Sequence, residues 1–249
     1  MRHTLAYTAT QATGYPNALT PVTDIFPVSG NGFLMQSDMF IYSVAAIGTG
    51  LSRVELHTPT IGAVNDLSLV QLNTSGQGFP TYPAVFIPEQ PIMIKGGEAL
   101  TVNFTSSSGA SKCYCFVEIG ETPNEQPSPP GPIYTVRFTA STTCTAGSFT
   151  TLTSVTFEQS ALPAGNWVLI GGQVQSTTAV ACRFFNAQSK FRPGSICVTS
   201  LNNQNHPYFL HRGNRNLLTF NSLVYPNIEV MCDSADSSQV GHLLIKRAP

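Results

Sequence analysis

The sequence predicts an all-β protein of two consecutive β-sandwich halves, and three observations carry that reading. Helical periodicity is nearly absent, because no long stretch combines apolar residues at i, i+3, i+4 and i+7 with freedom from Gly, Pro and β-branched clusters. Short apolar or alternating segments bounded by turn residues recur along the whole chain. One segment, Glu121–Pro132 (ETPNEQPSPPGP), holds five prolines and a glycine, which deny a sheet the backbone donors and torsions it needs.

Before that segment, strands are expected at Phe40–Ile47, Arg53–His57, Leu67–Leu72, Ala84–Ile87, Ile92–Ile94, Ala99–Phe104 and Lys112–Ile119. After it they are expected at Ile133–Phe138, Ser148–Phe157, Trp167–Gln175, Val180–Phe185, Ser195–Ser200, Asn216–Phe220, Ile228–Cys232 and Val240–Lys246. At 249 residues the chain suits two sandwiches of roughly 100–125 residues each. The predicted organisation is a first half over residues 1–120, a semi-rigid proline-rich linker over 121–132 and a second half over 133–249.

The halves echo one another. Phe40 and Trp167 open corresponding strands 127 residues apart (167 − 40), and Leu100-Thr101-Val102 matches Ile228-Glu229-Val230 at 128 (228 − 100). Each half also places a Gly/Asn/Ser/Pro-rich loop (Asn73–Pro83, Ser200–Asn214) before a β-pair, a Ser-rich turn and a final apolar strand. About eight short strands per half, with connections longer than a two-residue hairpin, predict paired sheets with jelly-roll crossings. An immunoglobulin-like pair fits poorly, because the single Trp167 lies in no Cys…Trp…Cys framework.

Composition narrows the function. Hydrophobic residues make up 42% of the chain and charged residues 10%, against roughly 25% charged in an average soluble protein. The polar surface is therefore mostly Ser, Thr, Asn and Gln, which suits packing against copies of the same chain. With a net charge of -1 there is no basic field to hold nucleic acid through its phosphates. Every apolar segment is broken well short of the roughly 20 residues a membrane-spanning helix needs. The N-terminal Met1–Thr10 has no signal-peptide core, so a soluble, cytoplasmically made product is expected.

No constellation of catalytic or metal-ligating residues stands out. Of the six cysteines, Cys113 and Cys115 alternate with Tyr114 and Phe116 on one strand, and Cys144, Cys182, Cys197 and Cys232 are scattered, so buried reduced thiols are expected. His3, His57, His206, His211 and His242 form no H-x-H or H-E-x-x-H set, and the last loop pair, His206 and His211, reads as a solvated tip. Asp233 and Asp236 read as a solvated Ser-rich turn, and Glu118, Glu121 and Glu125 as solvated carboxylates beside the linker. Gly30-Asn31-Gly32 lacks the helix that a phosphate-binding turn requires. The triplets Asn73-Thr74-Ser75 and Asn103-Phe104-Thr105 match the glycosylation sequon, as a Ser/Thr-rich chain does by chance. The expected site list is accordingly empty: no catalytic, cofactor-binding or metal-binding residue.

Two tandem jelly-roll-like halves, a surface nearly free of charge and no active-site motif together resemble the double jelly-roll major capsid proteins of icosahedral viruses. The small size resembles the compact versions in tailless bacteriophages with an internal membrane. The resemblance covers the whole chain and rests on architecture, without a diagnostic motif. It implies a structural protein rather than an enzyme, without cofactor. It implies upright jelly rolls, a homotrimer of six barrels in a pseudo-hexagonal ring, and residence in the virion after synthesis in the host cytoplasm. Implied partners are neighbouring capsomers, minor capsid or penton proteins and an inner membrane; sequence-specific nucleic-acid binding is not implied. The basic pair Lys246-Arg247 is a candidate for contact with the shell interior or an anionic membrane, although two charges alone bind little. Two other classes share the composition. A secreted carbohydrate-binding or adhesion module calls for a ridge of exposed Trp and Tyr, and a two-jelly-roll glycan-releasing hydrolase calls for convergent carboxylates at the domain junction.

Overall fold

The structure, a computed structural model, describes residues 2–10, 14–48, 50–61, 67–70, 84–106, 112–124, 126–158, 162–187, 189–197, 208–209 and 215–249. Expectations for the loop at 73–83, most of the loop at 200–214, Glu125, His206 and His211 concern residues outside these. The chain divides into two compact units, one of Thr4–Pro123 and one of Asn124–Pro249 together with Met1–His3. Every described element is a β-strand.

The first unit contains β1 (Arg2–Thr10, apart from Arg2 and His3, which group with the second unit), β2 (Gly14–Ala18), β3 (Thr20–Pro21), β4 (Val28–Ser29), β5 (Gly32–Leu34), β6 (Met39–Gly48), β7 (Leu51–His57), β8 (Leu67–Val70), β9 (Ala84–Phe86), β10 (Ile92–Ile94), β11 (Ala99–Ser106) and β12 (Lys112–Gly120). One sheet runs β10-β6-β12-β1-β3 and the other β4-β5-β11-β7-β8, with β9 pairing β6 and β2 pairing β11. The second unit contains β13 (Tyr134–Ala140), β14 (Phe149–Thr151), β15 (Val155–Phe157), β16 (Asn166–Gln175), β17 (Ala179–Phe185), β18 (Gly194–Ile196), β19 (Tyr208–Phe209), β20 (Leu218–Asn221), β21 (Asn227–Cys232) and β22 (Gln239–Arg247). Its sheets run β15-β13-β22-β16-β20 and β14-β21-β17-β18-β19.

With β2, β3, β4, β9, β15 and β19 set aside, both units follow one path. The principal strands in chain order are β1, β5, β6, β7, β8, β10, β11, β12 and β13, β14, β16, β17, β18, β20, β21, β22. In each, one sheet has the order first-eighth-third-sixth and the other second-seventh-fourth-fifth. That pairing is the jelly roll, two interleaved Greek keys. The protein is a double jelly roll.

The cores follow from side-chain alternation. Along β11 burial alternates residue by residue, with Leu100, Val102 and Phe104 inward. Tyr7 on β1 crosses the first sandwich, donating its hydroxyl to Leu100 O at 2.7 Å and meeting the Phe33 ring edge-on at 5.1 Å. In the second unit Val136, Phe138, Trp167, Leu169, Cys182, Phe184, Val230 and Ile245 share one core cluster. By contrast β12 is buried from Cys113 to Gly120 without alternation, and Tyr114, Phe116 and Glu118, pointing away from the Cys113–Cys115 face, are fully buried. A strand covered on both faces reads as a continuous apolar run.

Two sequence expectations need correction. The strand Arg2–Thr10 was not among those expected, because polar Arg2, His3 and Thr4 interrupt the apolar pattern although all three are buried. The expected single strand over 148–157 is two, β14 and β15, in different sheets. The break is chemical: the Thr142 hydroxyl accepts from Thr153 N–H at 2.9 Å while Leu152 N–H donates to Ile228 O. The terminal strands of the four sheets, β3, β4, β8, β10, β14, β15, β19 and β20, are two to four residues long, and a short edge offers little template for unwanted pairing.

The proline-rich segment is anchored at both ends to its own unit. Tyr42 donates its hydroxyl to Thr122 O in the first unit. In the second, Asn216 N–H donates to Gln126 O at 3.1 Å, and the Lys246 ammonium donates to Ser128 Oγ at 3.2 Å and Pro129 O at 3.1 Å. Lys246, the basic C-terminal candidate for membrane contact, is buried and engaged there.

Candidate functional site

Carboxylates set inside apolar strands are the polar features on which chemistry could rest. Glu229 on β21 faces Arg183 on β17 in register. Their inward neighbours Ile228, Val230, Cys182 and Phe184 fill the core, which puts the ion pair on the opposite face of the sheet. Arg183 approaches Glu229 Oε2 with Nη2 at 2.9 Å and Nε at 3.1 Å, and Arg192 Nη1 pairs with Oε1. The Arg183 guanidinium lies 3.6 Å above the Phe149 ring centroid and that of Arg192 4.6 Å above Phe185, a cation–π arrangement that suits a desolvated cation. Both Arg183 and Glu229 are buried.

The first unit holds two further buried carboxylates. Glu55 on β7 pairs with Arg53 and with His57 Nε2 at 3.5 Å. Glu118 on β12 lies opposite Ser43 on β6, whose hydroxyl donates to Oε2 at 3.2 Å. The expectation that Glu118 is solvated is therefore wrong: it is fully buried, while Glu121 is exposed. Glu55 and Glu118 occupy the outward faces of opposite sheets of one sandwich. Each is held by its own cation or hydroxyl, which braces strands. Glycosidic hydrolysis instead needs two carboxylates flanking one bond. The signal for all three was legible, since each interrupts an apolar strand (RVELH, CFVEI, IEVMC).

The remaining residues singled out from sequence are dispersed. Asp236 is no free turn residue: it accepts from Ser238 N–H at 2.9 Å and from both the N–H and the hydroxyl of Thr178 at 3.3 Å, while its carbonyl accepts from Cys144 N–H. Burial pushes its carboxyl up, but hydrogen bonds from Ser238, Ser176 and Thr178 outweigh that and hold it below the usual range. Gly30 and Asn31 form a two-residue hairpin turn between β4 and β5, with Gly30 at φ 60°. His3 Nδ1 accepts from Arg192 N–H at 3.1 Å. All six cysteines are buried free thiols. Among the described residues no group of three or more His, Cys, Asp or Glu is placed to hold a metal ion. Trp167 is buried, its indole donating to Pro163 O at 3.2 Å, so it contributes to no exposed aromatic ridge.

One polar cleft opens on the outward face of the β13-β22-β16 sheet. It encloses about 430 Å³ and is lined by Arg137, Phe138, Glu158, Gln173, Gln175, Val240, Gly241 and His242. Strand register places it: Arg137 pairs with His242, and His242 with Gln173, in one row across three strands. Burial, and then the neighbouring Arg137 charge, lowers the His242 pKa below its ordinary value.

No family model matches the chain, and no curated protein does. Among solved structures it is similar to the crystal structure of the major capsid protein P2 from Bacteriophage PM2, with 8% sequence identity, 100% of this chain and 98% of that chain covered, and a TM-score of 0.26. The jelly-roll assignment rests on the strand pairing within each unit.

Proposed function

We propose that this chain is a structural protein, the major capsid protein of an icosahedral viral shell, working as a homotrimer rather than as an enzyme. The observation that carries the reading is the repetition of one complete jelly-roll path in a single chain. Three such chains supply six similar lobes, so a unit with three-fold symmetry fills a nearly six-fold lattice position. A chain with 12 basic and 13 acidic residues in 249 presents a Ser/Thr/Asn/Gln surface, whose burial between copies costs less desolvation than burial of ionised groups. Strands braced by buried charged side chains agree with a structural role.

On this reading neighbouring capsomers are the principal partners, with minor capsid or penton proteins at special lattice positions and the inner face toward any membrane. The protein resides in the virion after synthesis in a host cytoplasm, needs no cofactor and binds no nucleic-acid sequence. Negative-stain electron microscopy of the purified chain tests it. Three-fold capsomers, or isometric hollow particles, are expected; monodisperse single chains over a range of ionic strength and concentration would turn the reading down.

A further inference from the structure

The cleft on the second jelly roll has a chemistry that the shell reading does not use. Its lining is rich in planar polar groups: the amides of Gln173 and Gln175, the guanidinium of Arg137, the carboxylate of Glu158 and the imidazole of His242. Three of these form the register row Arg137–His242–Gln173, and Gln175 lies two residues along β16 on the same face. Glu158 is brought alongside by its backbone N–H donating to Arg137 O at 3.1 Å. Among the described residues the side-chain amides of Gln173 and Gln175 are committed to no hydrogen bond.

The charges select the ligand class. The lining carries one cation, Arg137, and one anion, Glu158, and burial, then the Arg137 charge, disfavours the charged form of His242. A phosphate or sulfate would meet the like charge of Glu158, and an ammonium ligand would meet the like charge of Arg137. A neutral ligand with many hydroxyls meets neither penalty, because a hydroxyl both donates and accepts and pairs with amide, guanidinium and carboxylate alike. Val240, an exposed member of the lining, offers an apolar surface for C–H groups. On the core side of the same sheet the Phe138 ring packs so close to Gly241 that a Cβ there would come within 2.4 Å of its Cζ.

We infer that this cleft binds a neutral saccharide unit, held by Gln173, Gln175, Arg137 and Glu158. The inference goes beyond the shell reading and does not depend on it, since the cleft lies within one unit and binding is read apart from assembly. Saturation-transfer NMR tests it with a panel of neutral methyl glycosides (glucoside, galactoside, mannoside and N-acetylglucosaminide) at millimolar concentration, and glucose 6-phosphate and glucosamine as charged counterparts. Saturation transfer to at least one neutral glycoside is expected, with weaker transfer to both charged sugars. Gln175→Ala, at a half-buried surface position, and Gln173→Ala should each weaken that binding several-fold, and the double variant about tenfold or more. Thermal unfolding of each variant separates lost binding from lost folding. Absence of transfer from every neutral glycoside, equal binding by the folded double variant, or preference for a charged sugar would overturn the inference. Particle mass measured on the same samples reports on the shell reading separately.

Discussion

Arg183 and Glu229 face each other across β17 and β21 with both side chains buried, the guanidinium placing Nη2 2.9 Å and Nε 3.1 Å from one carboxylate oxygen. Removing Glu229 leaves the buried Arg183 guanidinium without its counterion, while Arg192, the second partner of Glu229, is partly exposed. Glu229→Ala is therefore expected to lower the unfolding free energy by about 3–5 kcal/mol. Arg183→Met combined with Glu229→Leu should recover much of that, because neither charge then needs burial. Urea unfolding of Glu229→Ala, Arg183→Met, Glu229→Leu and the double variant checks this; additive losses of the last two single variants would show that the residues do not act as a pair.

Backbone proximity makes a second requirement. A Cβ at Gly172 would stand 2.6 Å from Phe184 Cζ and 3.0 Å from His242 O, so the Phe184 ring packs on a bare stretch of β16. Gly172→Ala should cost about 1–3 kcal/mol by overpacking, and Phe184→Leu in the same chain should relieve part of it. A Gly172→Ala variant as stable as the wild type would mean the ring is free to withdraw.

How much of this was legible in the sequence depends on which force set each element. Strands with one buried face, such as Ile92–Ile94 and Ala99–Ser106, follow the apolar pattern closely. The pairs Met39–Gly48 with Asn166–Gln175 and Ala99–Ser106 with Asn227–Cys232 keep offsets of 127 (166 − 39) and 128 (227 − 99). Strand Arg2–Thr10 was invisible because its burial on both faces includes His3 and Thr4, which carry no apolar signal. The cleft was equally invisible, since Arg137, His242 and Gln173 are far apart in sequence and meet only through strand register. The buried carboxylates could have been found, because Glu118 and Glu229 sit where an apolar residue would be expected. Proximity to the linker drew Glu118 to the solvated reading instead.

The thiols provide a third test. Burial, with the neighbouring Cys232 adding to it, pushes the Cys144 thiol up to about 12, and burial also raises those of Cys115 and Cys197. Such groups are almost wholly protonated at pH 8, and the thiolate is the reactive species. Alkylation of the native protein at that pH should be slow at all six positions, while unreduced protein in denaturant should titrate six free thiols. Fast native labelling, or fewer than six thiols after unfolding, would contradict the buried reduced arrangement.

Asp236 gives a pH dependence with a definite sign. Its folded pKa is lowered, net of burial, by hydrogen bonds from Ser238, Ser176 and Thr178, so the unfolded state binds its proton first as pH falls. The stabilisation is present in full above the ordinary aspartate pKa of about 3.9 and is lost as pH drops below it toward the folded value. Asp236→Asn should be less stable than the wild type at neutral pH, by about 1–2 kcal/mol for the hydrogen bonds weakened, and the gap should close below about pH 4. Thermal melts of both proteins across that range check it; a gap that stays constant on acidification would contradict the role given to the carboxylate.

The central claim is that two jelly rolls in one chain exist to build a six-lobed trimer. Light scattering coupled to size exclusion at micromolar concentration tests it most directly, without any assumption about host or shell. The account predicts a particle of three times the 26.7 kDa of one chain, or larger assemblies in multiples of that unit. A stable monomer of 26.7 kDa at every concentration tested would contradict it.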